Sequence, residues 1–172
     1  RGERFWLHGW SPHDTATDVD WAIGAVHVLR ATAVNGAQVY NERWFMYVED
    51  LDLCWQLARA GWRRRFEPDI TVTHIGNAAG AQAWGASRRS RWQWATYDWY
   101  GLRHGQTARR AYAALNAVGV LVLVAGRVAA RLLRRPGRRG VAGRILLRSL
   151  PLHVEAIFIG DVGPRARGGP PR

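Results

Sequence analysis

The stretch E-D-L-D-L-C-W-Q-L-A-R-A-G at residues 49–61 decides how the rest of this chain is interpreted. Leu53 and Cys54 begin an apolar stripe at helical spacing, acidic residues crowd the first turn, and Gly61 stands where a helix C-cap belongs. The pattern predicts an amphipathic helix. Asp50 lies three and four residues before the two apolar positions, so its carboxylate should point to the buried side of that helix. A carboxylate there is costly unless it is paired or used, although acids at a helix N-terminus also simply complement the helix dipole by about 1 kcal/mol or less each.

Outward from this helix, short apolar runs predict strands and longer periodic stretches predict helices. The predicted strands cover residues 25–30, 44–48, 63–66 and 70–74. Further helices are predicted at residues 87–104 and 107–134, with a weaker amphipathic stretch at 141–150. Short strands mixed with one helix indicate an α/β fold, specifically the second half of a sheet domain, followed by a helical, basic region.

Charge is distributed unevenly along the 172 residues. Residues 1–80 carry eight Arg and ten acidic residues, a net charge of −2, whereas residues 81–172 carry seventeen Arg and three acidic residues, a net charge of +14. Such asymmetry is typical of a neutral folded module followed by a segment that meets an anionic surface, either nucleic acid or anionic lipid. A hydrophobic content of 48% argues against wholesale disorder, and a single cysteine excludes an internal disulfide.

Residues 111–126 form an apolar run in which Tyr112 and Asn116 are the only polar side chains. At 1.5 Å per residue the run would span roughly 24 Å, which is less than the roughly 30 Å hydrocarbon core of a bilayer. Arg residues flank both ends, and the preceding Trp/Tyr/Arg-rich stretch has the composition of an interfacial belt. The run therefore favours a helix lying in the interface of an anionic membrane, and nucleic acid is not expected as a partner. A core helix packed on the preceding folded module is the alternative interpretation.

Five sequence blocks are informative about the protein family when they are taken together. In chain order they are V-D-W-A-I-G-A at 19–25, the Arg30 that follows, N-E-R-W-F-M-Y-V-E-D-L-D-L-C-W-Q-L at 41–57, R-A-G-W at 59–62, and P-D-I-T-V-T-H at 68–74. In order and spacing this set resembles the family 2 glycosyltransferases, most closely their rhamnosyltransferase-like branch. The resemblance does not extend past residue 80.

The resemblance implies a GT-A fold, of which this chain would supply the acceptor-side half as a C-terminal piece of a longer product. It implies an inverting transfer of a sugar, with rhamnose a candidate, from a nucleotide-diphosphate donor to a lipid-linked or cell-envelope glycan acceptor. A polyprenyl-linked acceptor would place the enzyme at the cytoplasmic face of a bacterial inner membrane, peripheral or marginally inserted. The divalent metal, Mg or Mn, that clamps the donor diphosphate would be bound mainly by the missing nucleotide-binding half. The 172 residues alone are therefore expected to be inactive.

The resemblance also assigns roles to individual residues. Asp50 is the expected general base on the acceptor hydroxyl, and Glu49 would hold or orient the acceptor. Asp20, Trp21 and Gly24 correspond to the acceptor-side floor, where a glycine lets the backbone approach a ligand and a tryptophan offers a flat face to a sugar ring. A core tryptophan and a glycine in a bend are the structural alternatives.

His74 stands where the family often has a histidine near the metal and diphosphate, although an isolated histidine is often structural. Asp52 is expected to cap the helix. Two positions depart from the family: Asn41 replaces the usual aspartate, and the N-A-A-G that follows His74 at residues 77–80 lacks the usual serine.

These observations divide the chain into three expected regions. Residues 1–80 would belong to the catalytic domain, residues 81–150 would form a Trp/Arg-rich helical region at the membrane, and residues 151–172 would be a disordered basic tail. The alternative function is a non-catalytic basic module that binds anionic membrane or nucleic acid. The retained Glu49–Asp50 pair favours the enzyme, because a module of that kind has no need of it.

Overall fold

The computed structural model describes residues 14–34, 39–73, 82, 85–133 and 143–166 of the chain. Contacts divide the chain into two compact units. The first unit consists of Arg1–Glu42 and Glu49–Ala78, and the second consists of Arg43–Val48 and Ala79–Arg172.

The first unit is organised around one helix and one short strand pair. Its elements are β1 (Thr17–Asp18), α1 (Ala31–Val34), α2 (Glu49–Arg59) and β2 (Arg65–Phe66), with β1 and β2 antiparallel. Helix α2 confirms the helix predicted from residues 49–61, and its apolar stripe of Leu53, Cys54 and Leu57 is buried. It ends as expected at Gly61, whose φ of +82° lets the Trp62 N–H donate to the Leu57 carbonyl at 2.9 Å.

The second unit is helical in its described part. A 3₁₀ turn (Gly85–Ser87) leads into α3 (Arg88–His104), which is followed by α4 (Gln106–Leu132), α5 (Gly143–Phe158) and α6 (Gly163–Ala166). Helix α4 packs against α3 and α5, and α3 also packs against α6. The helices predicted at 87–104 and 107–134 are confirmed, and the described part of the weaker stretch, residues 143–150, belongs to the longer helix α5.

A buried carboxylate ties the segment Arg43–Val48 to α3. Asp98 accepts two hydrogen bonds from Arg43, at 2.6 Å from Nε and 2.8 Å from Nη2. It accepts a third from the indole Nε1–H of the buried Trp44 at 2.9 Å. Bidentate, charge-assisted bonds of this kind are among the stronger polar contacts in proteins, so Asp98 is a principal anchor of this segment.

A fully buried arginine joins α4 to the end of α5. Arg109 donates from Nη1 to the Ala156 carbonyl at 2.6 Å and from Nη2 to the Ile159 carbonyl at 2.7 Å. Its Nε donates to Gln106 Oε1 at 2.7 Å. The last carbonyls of a helix lack hydrogen-bond partners within the helix and carry partial negative charge. The guanidinium supplies both the hydrogen-bond donors and the compensating positive charge.

Three of the four predicted strands are absent from the described residues, and of residues 63–66 only β2 is a strand. At residues 25–30 the chain is irregular and Val28 is 84% exposed. Strands are stabilised by hydrogen bonds and side-chain pairs with a neighbouring strand, and the described part of the chain offers these residues none. Residues 70–73 are likewise irregular.

Residues 44–48 are also not a strand, and here the backbone shows why. Tyr47 and Val48 have φ of 71° and 60°, in the left-handed region that side chains other than glycine rarely adopt. A β-branched residue in this conformation costs on the order of 1–3 kcal/mol. The anchoring of Arg43 and Trp44 on Asp98 therefore holds the segment in an irregular path instead of an extended one.

The prediction of disorder for residues 151–172 is wrong for its first part. Residues 151–158 continue helix α5, and α6 follows at Gly163–Ala166. The predicted helix ends before Pro151, yet Leu146 and Ala156 on either side of the proline are buried, and their packing outweighs the cost of the proline. Residues 167–172 lie outside the described part. The described residues form a sheet of two strands, which does not test the predicted GT-A half-domain, so that fold stays a prediction.

Candidate active site

The first turn of α2 is held against the loop at residues 21–24 by a buried carboxylate. Asp50 Oδ2 accepts the Gly24 N–H at 2.9 Å, and Asp50 Oδ1 accepts the N–H of Leu51 at 2.7 Å. The structure thus brings together two of the residues that the sequence analysis singled out. A Cβ on Gly24 would lie 3.4 Å from the Cβ of Asp50, an ordinary van der Waals distance, so the contact is close-packed but does not itself require glycine.

Glu49, the neighbour of Asp50, has a strongly perturbed carboxyl group. The pKa of Glu49 is raised to about 7, chiefly by burial, and the charge of the adjacent Asp50 contributes to this rise. The Oε2 atom of Glu49 is buried without a hydrogen-bond partner among the described residues. Two adjacent carboxyl groups therefore have different surroundings: one is held by backbone N–H groups and the other is desolvated. Perturbed carboxyls of this kind are typical of functional sites.

Two aromatic residues that were not predicted as site residues, His27 and Tyr40, contact each other next to the loop at residues 21–24. Tyr40 Oη is 3.0 Å from His27 Nδ1, and the His27 Nε2 is 3.2 Å from the carbonyl oxygen of Ala22. Burial is the largest cause of a raised pKa for Tyr40, and the charges of Asp50 and Glu49 add to it. Both residues fell within stretches interpreted as a strand and a connection, so the sequence pattern carried no signal of their pairing.

The remaining predicted site residues are placed differently. Asp20 is almost fully exposed and forms an ion pair with Arg64 at 3.5 Å, and Trp21 is half-buried in the same loop as Gly24. Asp52, expected to be a helix cap, is fully buried and accepts a hydrogen bond from Gln56 Nε2 at 2.8 Å. His74 lies outside the described residues, so its predicted role stays a prediction.

A group of metal-ligating side chains is not found among the described residues. Within 14–34, 39–73, 85–133 and 143–166, no three His, Cys, Asp or Glu side chains are grouped so that they could hold an ion. The expected Mg or Mn ion therefore remains a prediction from the resemblance.

Helix α4 presents an exposed apolar surface. In the described part of the chain it is the one helix long and apolar enough to cross a membrane by length and composition, and 17% of its most apolar window is buried. Its inner face, with Ala113, Ala117 and Val120, is buried. The outer side chains Leu115, Val118, Leu121, Val122 and Leu123 are exposed. No charged residue interrupts the run between Arg110 and Arg127.

Comparison with known proteins gives short matches of one kind. The N-acetylglucosaminyl-diphospho-decaprenol L-rhamnosyltransferase of Mycobacterium tuberculosis (strains CDC 1551 / Oshkosh and ATCC 25618 / H37Rv) is 38% identical over 56 residues, which cover 33% of this chain and 18% of that protein. The rhamnosyltransferase WbbL of Escherichia coli (strain K12) is 34% identical over 58 residues, which cover 34% of this chain and 22% of that protein.

The matched stretch spans less than a quarter of each of these relatives. No protein-family model matches the chain, and no solved structure matches it significantly. Over about a third of its length, then, the chain is similar to rhamnosyltransferases, which supports a glycosyltransferase-like relationship.

Proposed function

We propose that this chain forms the acceptor side of an inverting glycosyltransferase that moves a sugar, with rhamnose the leading candidate, from a nucleotide-diphosphate donor to a lipid-linked or cell-envelope glycan. The observation that carries the proposal is the 2.9 Å hydrogen bond from the Gly24 N–H to Asp50. This bond connects the block at residues 19–25 with the acidic first turn of α2. An aspartate that served only to cap the helix would not need a contact with that block. The short similarity to rhamnosyltransferases supports the same proposal.

In the proposed reaction Asp50 is the general base. It removes the proton from an acceptor hydroxyl as that oxygen bonds to the anomeric carbon of the donor sugar, and the bond from this carbon to the nucleotide diphosphate breaks on the opposite face. A sugar hydroxyl is too weak a nucleophile to react unaided. Because backbone N–H groups bind both carboxylate oxygens of Asp50, its orientation is fixed before the acceptor arrives.

Glu49 is proposed to hold the acceptor. A carboxyl group with a pKa of about 7 is protonated in a large fraction of molecules near neutral pH. It can therefore donate a hydrogen bond to one sugar hydroxyl oxygen or accept one from another, as an acceptor-binding group must.

The second candidate function, a non-catalytic membrane-binding module, is favoured by the exposed apolar face of α4. Membrane binding by itself is also compatible with catalysis, because a polyprenyl-linked acceptor resides in a membrane. We propose that α4 holds the enzyme at an anionic membrane surface on the cytoplasmic side, where such acceptors would reach Asp50.

Replacing Asp50 by Asn in the full-length gene product tests the catalytic proposal. The donor would be a nucleotide-diphosphate L-rhamnose and the acceptor N-acetylglucosaminyl-diphospho-decaprenol, with product measured by radiolabel transfer. Loss of a general base is expected to lower kcat by about 10²–10⁴-fold. The matched control is Asp14→Asn, the same change at an exposed position outside the five sequence blocks, which should retain activity. Near wild-type transfer by Asp50→Asn would refute the assignment.

A further inference from the structure

The side chain of His27 bridges the loop that holds Asp50 and the hydroxyl of Tyr40. Its Nε2 lies 3.2 Å from the Ala22 carbonyl oxygen, two residues before Gly24. Its Nδ1 lies 3.0 Å from Tyr40 Oη, and the two rings are stacked with centroids 6.2 Å apart and planes inclined by 28°. The pair is thus fixed both by stacking and by hydrogen bonds at each ring nitrogen.

The partners of His27 determine where its proton lies. A carbonyl oxygen can only accept, so Nε2 must carry the hydrogen that bonds to Ala22. In the neutral ring Nδ1 is then a bare acceptor. Tyr40 must therefore donate its O–H to Nδ1, which leaves the lone pairs of the phenol oxygen to accept a hydrogen bond from elsewhere.

Those lone pairs are accessible and close to the carboxyl pair. Tyr40 is 37% exposed, so its oxygen is not sealed inside the first unit. His27 binds the Ala22 carbonyl, and Gly24 of the same loop donates its N–H to Asp50 at 2.9 Å, so Tyr40 and the proposed general base are joined to one loop. The charges of Asp50 and Glu49 also contribute to the raised pKa of Tyr40. The phenol is thus a hydrogen-bond acceptor whose direction is fixed by the loop that holds Asp50.

We propose that Tyr40 binds the acceptor sugar and that His27 positions it, a proposal that rests on the glycosyl-transfer function above. The substrate class is a pyranose that carries a hydroxyl next to the one that reacts. Asp50 takes the proton of the reacting hydroxyl, and the Tyr40 oxygen accepts a hydrogen bond from its neighbour. His27 acts through Tyr40 and does not touch the sugar.

The test uses Tyr40→Phe, His27→Leu and His27→Gln in the full-length gene product, with the donor and acceptor named above. Tyr40→Phe keeps the ring that stacks on His27 and removes only the oxygen. We expect the KM for the acceptor to rise about threefold to tenfold, the effect of one hydrogen bond, while the KM for the donor and kcat change less than twofold. His27→Leu should raise the acceptor KM similarly, because it frees the Tyr40 proton.

His27→Gln distinguishes positioning from mere packing. A glutamine amide offers an N–H to Ala22 and an oxygen to the Tyr40 hydroxyl, so it should restore the acceptor KM to within about twofold of wild type. An unchanged acceptor KM in Tyr40→Phe, or a His27→Gln variant as impaired as His27→Leu, would overturn the proposal. If wild type transfers no sugar, the proposed function itself fails, whereas normal transfer with unaffected variants rejects only the role of Tyr40.

Discussion

Glu49 and Asp50 are neighbours in sequence whose carboxyl groups meet different surroundings. Asp50 is bound by two backbone N–H groups, whereas Glu49 has a buried oxygen without a partner among the described residues. Because a helix turns by about 100° per residue, adjacent positions face different environments. A pair of acids at a helix start can therefore divide the work of proton removal and substrate binding.

The desolvation of Glu49 predicts a pH-dependent difference in stability. Its pKa rises from 4.5 to about 7 on folding, so the folded state favours the protonated form. That contribution is fully present below pH 4.5 and is lost as the pH rises through 7. Glu49→Gln should match wild type at pH 4.5 and exceed it by about 2–3 kcal/mol at pH 8. Denaturant midpoints at the two pH values measure this difference, and an equal offset at both would contradict it.

The sequence identified part of this site. Asp50 was predicted to face the buried side of α2 because helical periodicity is visible in sequence, and that placement is confirmed. His27 and Tyr40 were missed, because their hydrogen bond joins residues thirteen positions apart through an irregular segment. No periodic pattern encodes such a contact. The roles of Asp50, Glu49, Asp20, Trp21 and Gly24 in catalysis or binding stay predictions.

At the scale of elements, helices were predictable and strands were not. Helices α2, α3 and α4 satisfy their backbone hydrogen bonds internally, so local spacing suffices to locate them. Residues 25–30 and 44–48 have the apolar composition of strands, but a strand requires a partner that local sequence does not specify. Trp44 instead donates a hydrogen bond from its indole N–H to Asp98 of α3.

Asp98 is expected to matter for stability more than any surface ion pair. Asp98→Asn leaves the Arg43 guanidinium without its charged partner and should lower the free energy of unfolding by about 2–4 kcal/mol, since removal of one member of a buried pair is costly. The matched control is Glu155→Gln, which breaks the exposed pair with Arg165 and should cost less than about 1 kcal/mol. Chemical denaturation of both variants decides, and equal losses would show that the Asp98 cluster is not an anchor.

At the scale of the whole molecule, the uneven charge and the outer face of α4 lead to one expectation. The second half of the chain carries the positive charge, and its longest helix exposes an apolar face between Arg110 and Arg127. Apolar burial and attraction to anionic lipid are the two terms that bind such helices to membranes. Composition alone suggested this surface, whereas the structure adds which side chains of the helix are exposed among the described residues.

Vesicle flotation distinguishes the contribution of apolar burial to membrane binding from that of attraction to anionic lipid. Val122→Asp places a charge on the outer face, where the side chain is 63% exposed, and should weaken binding to phosphatidylglycerol vesicles at least tenfold. Val28→Asp is the matched control at an exposed site in the first unit and should bind normally. The double variant Arg127→Gln/Arg131→Gln should lose about 30-fold on anionic vesicles and little on phosphatidylcholine. Binding of Val122→Asp equal to that of Val28→Asp would exclude α4 as the membrane surface.

The hydrogen bonds of Arg109 determine when the helical unit can fold during biosynthesis. Its guanidinium lies in α4, yet the carbonyls that receive it, at Ala156 and Ile159, are made almost fifty residues later. A ribosome that has released α3 and α4 has therefore exposed a cation whose burial is prohibitively costly until its acceptors emerge. The helical unit consequently completes its core only when translation has passed residue 159, and a nascent chain halted earlier presents an unfinished α4 to chaperones or to the bilayer.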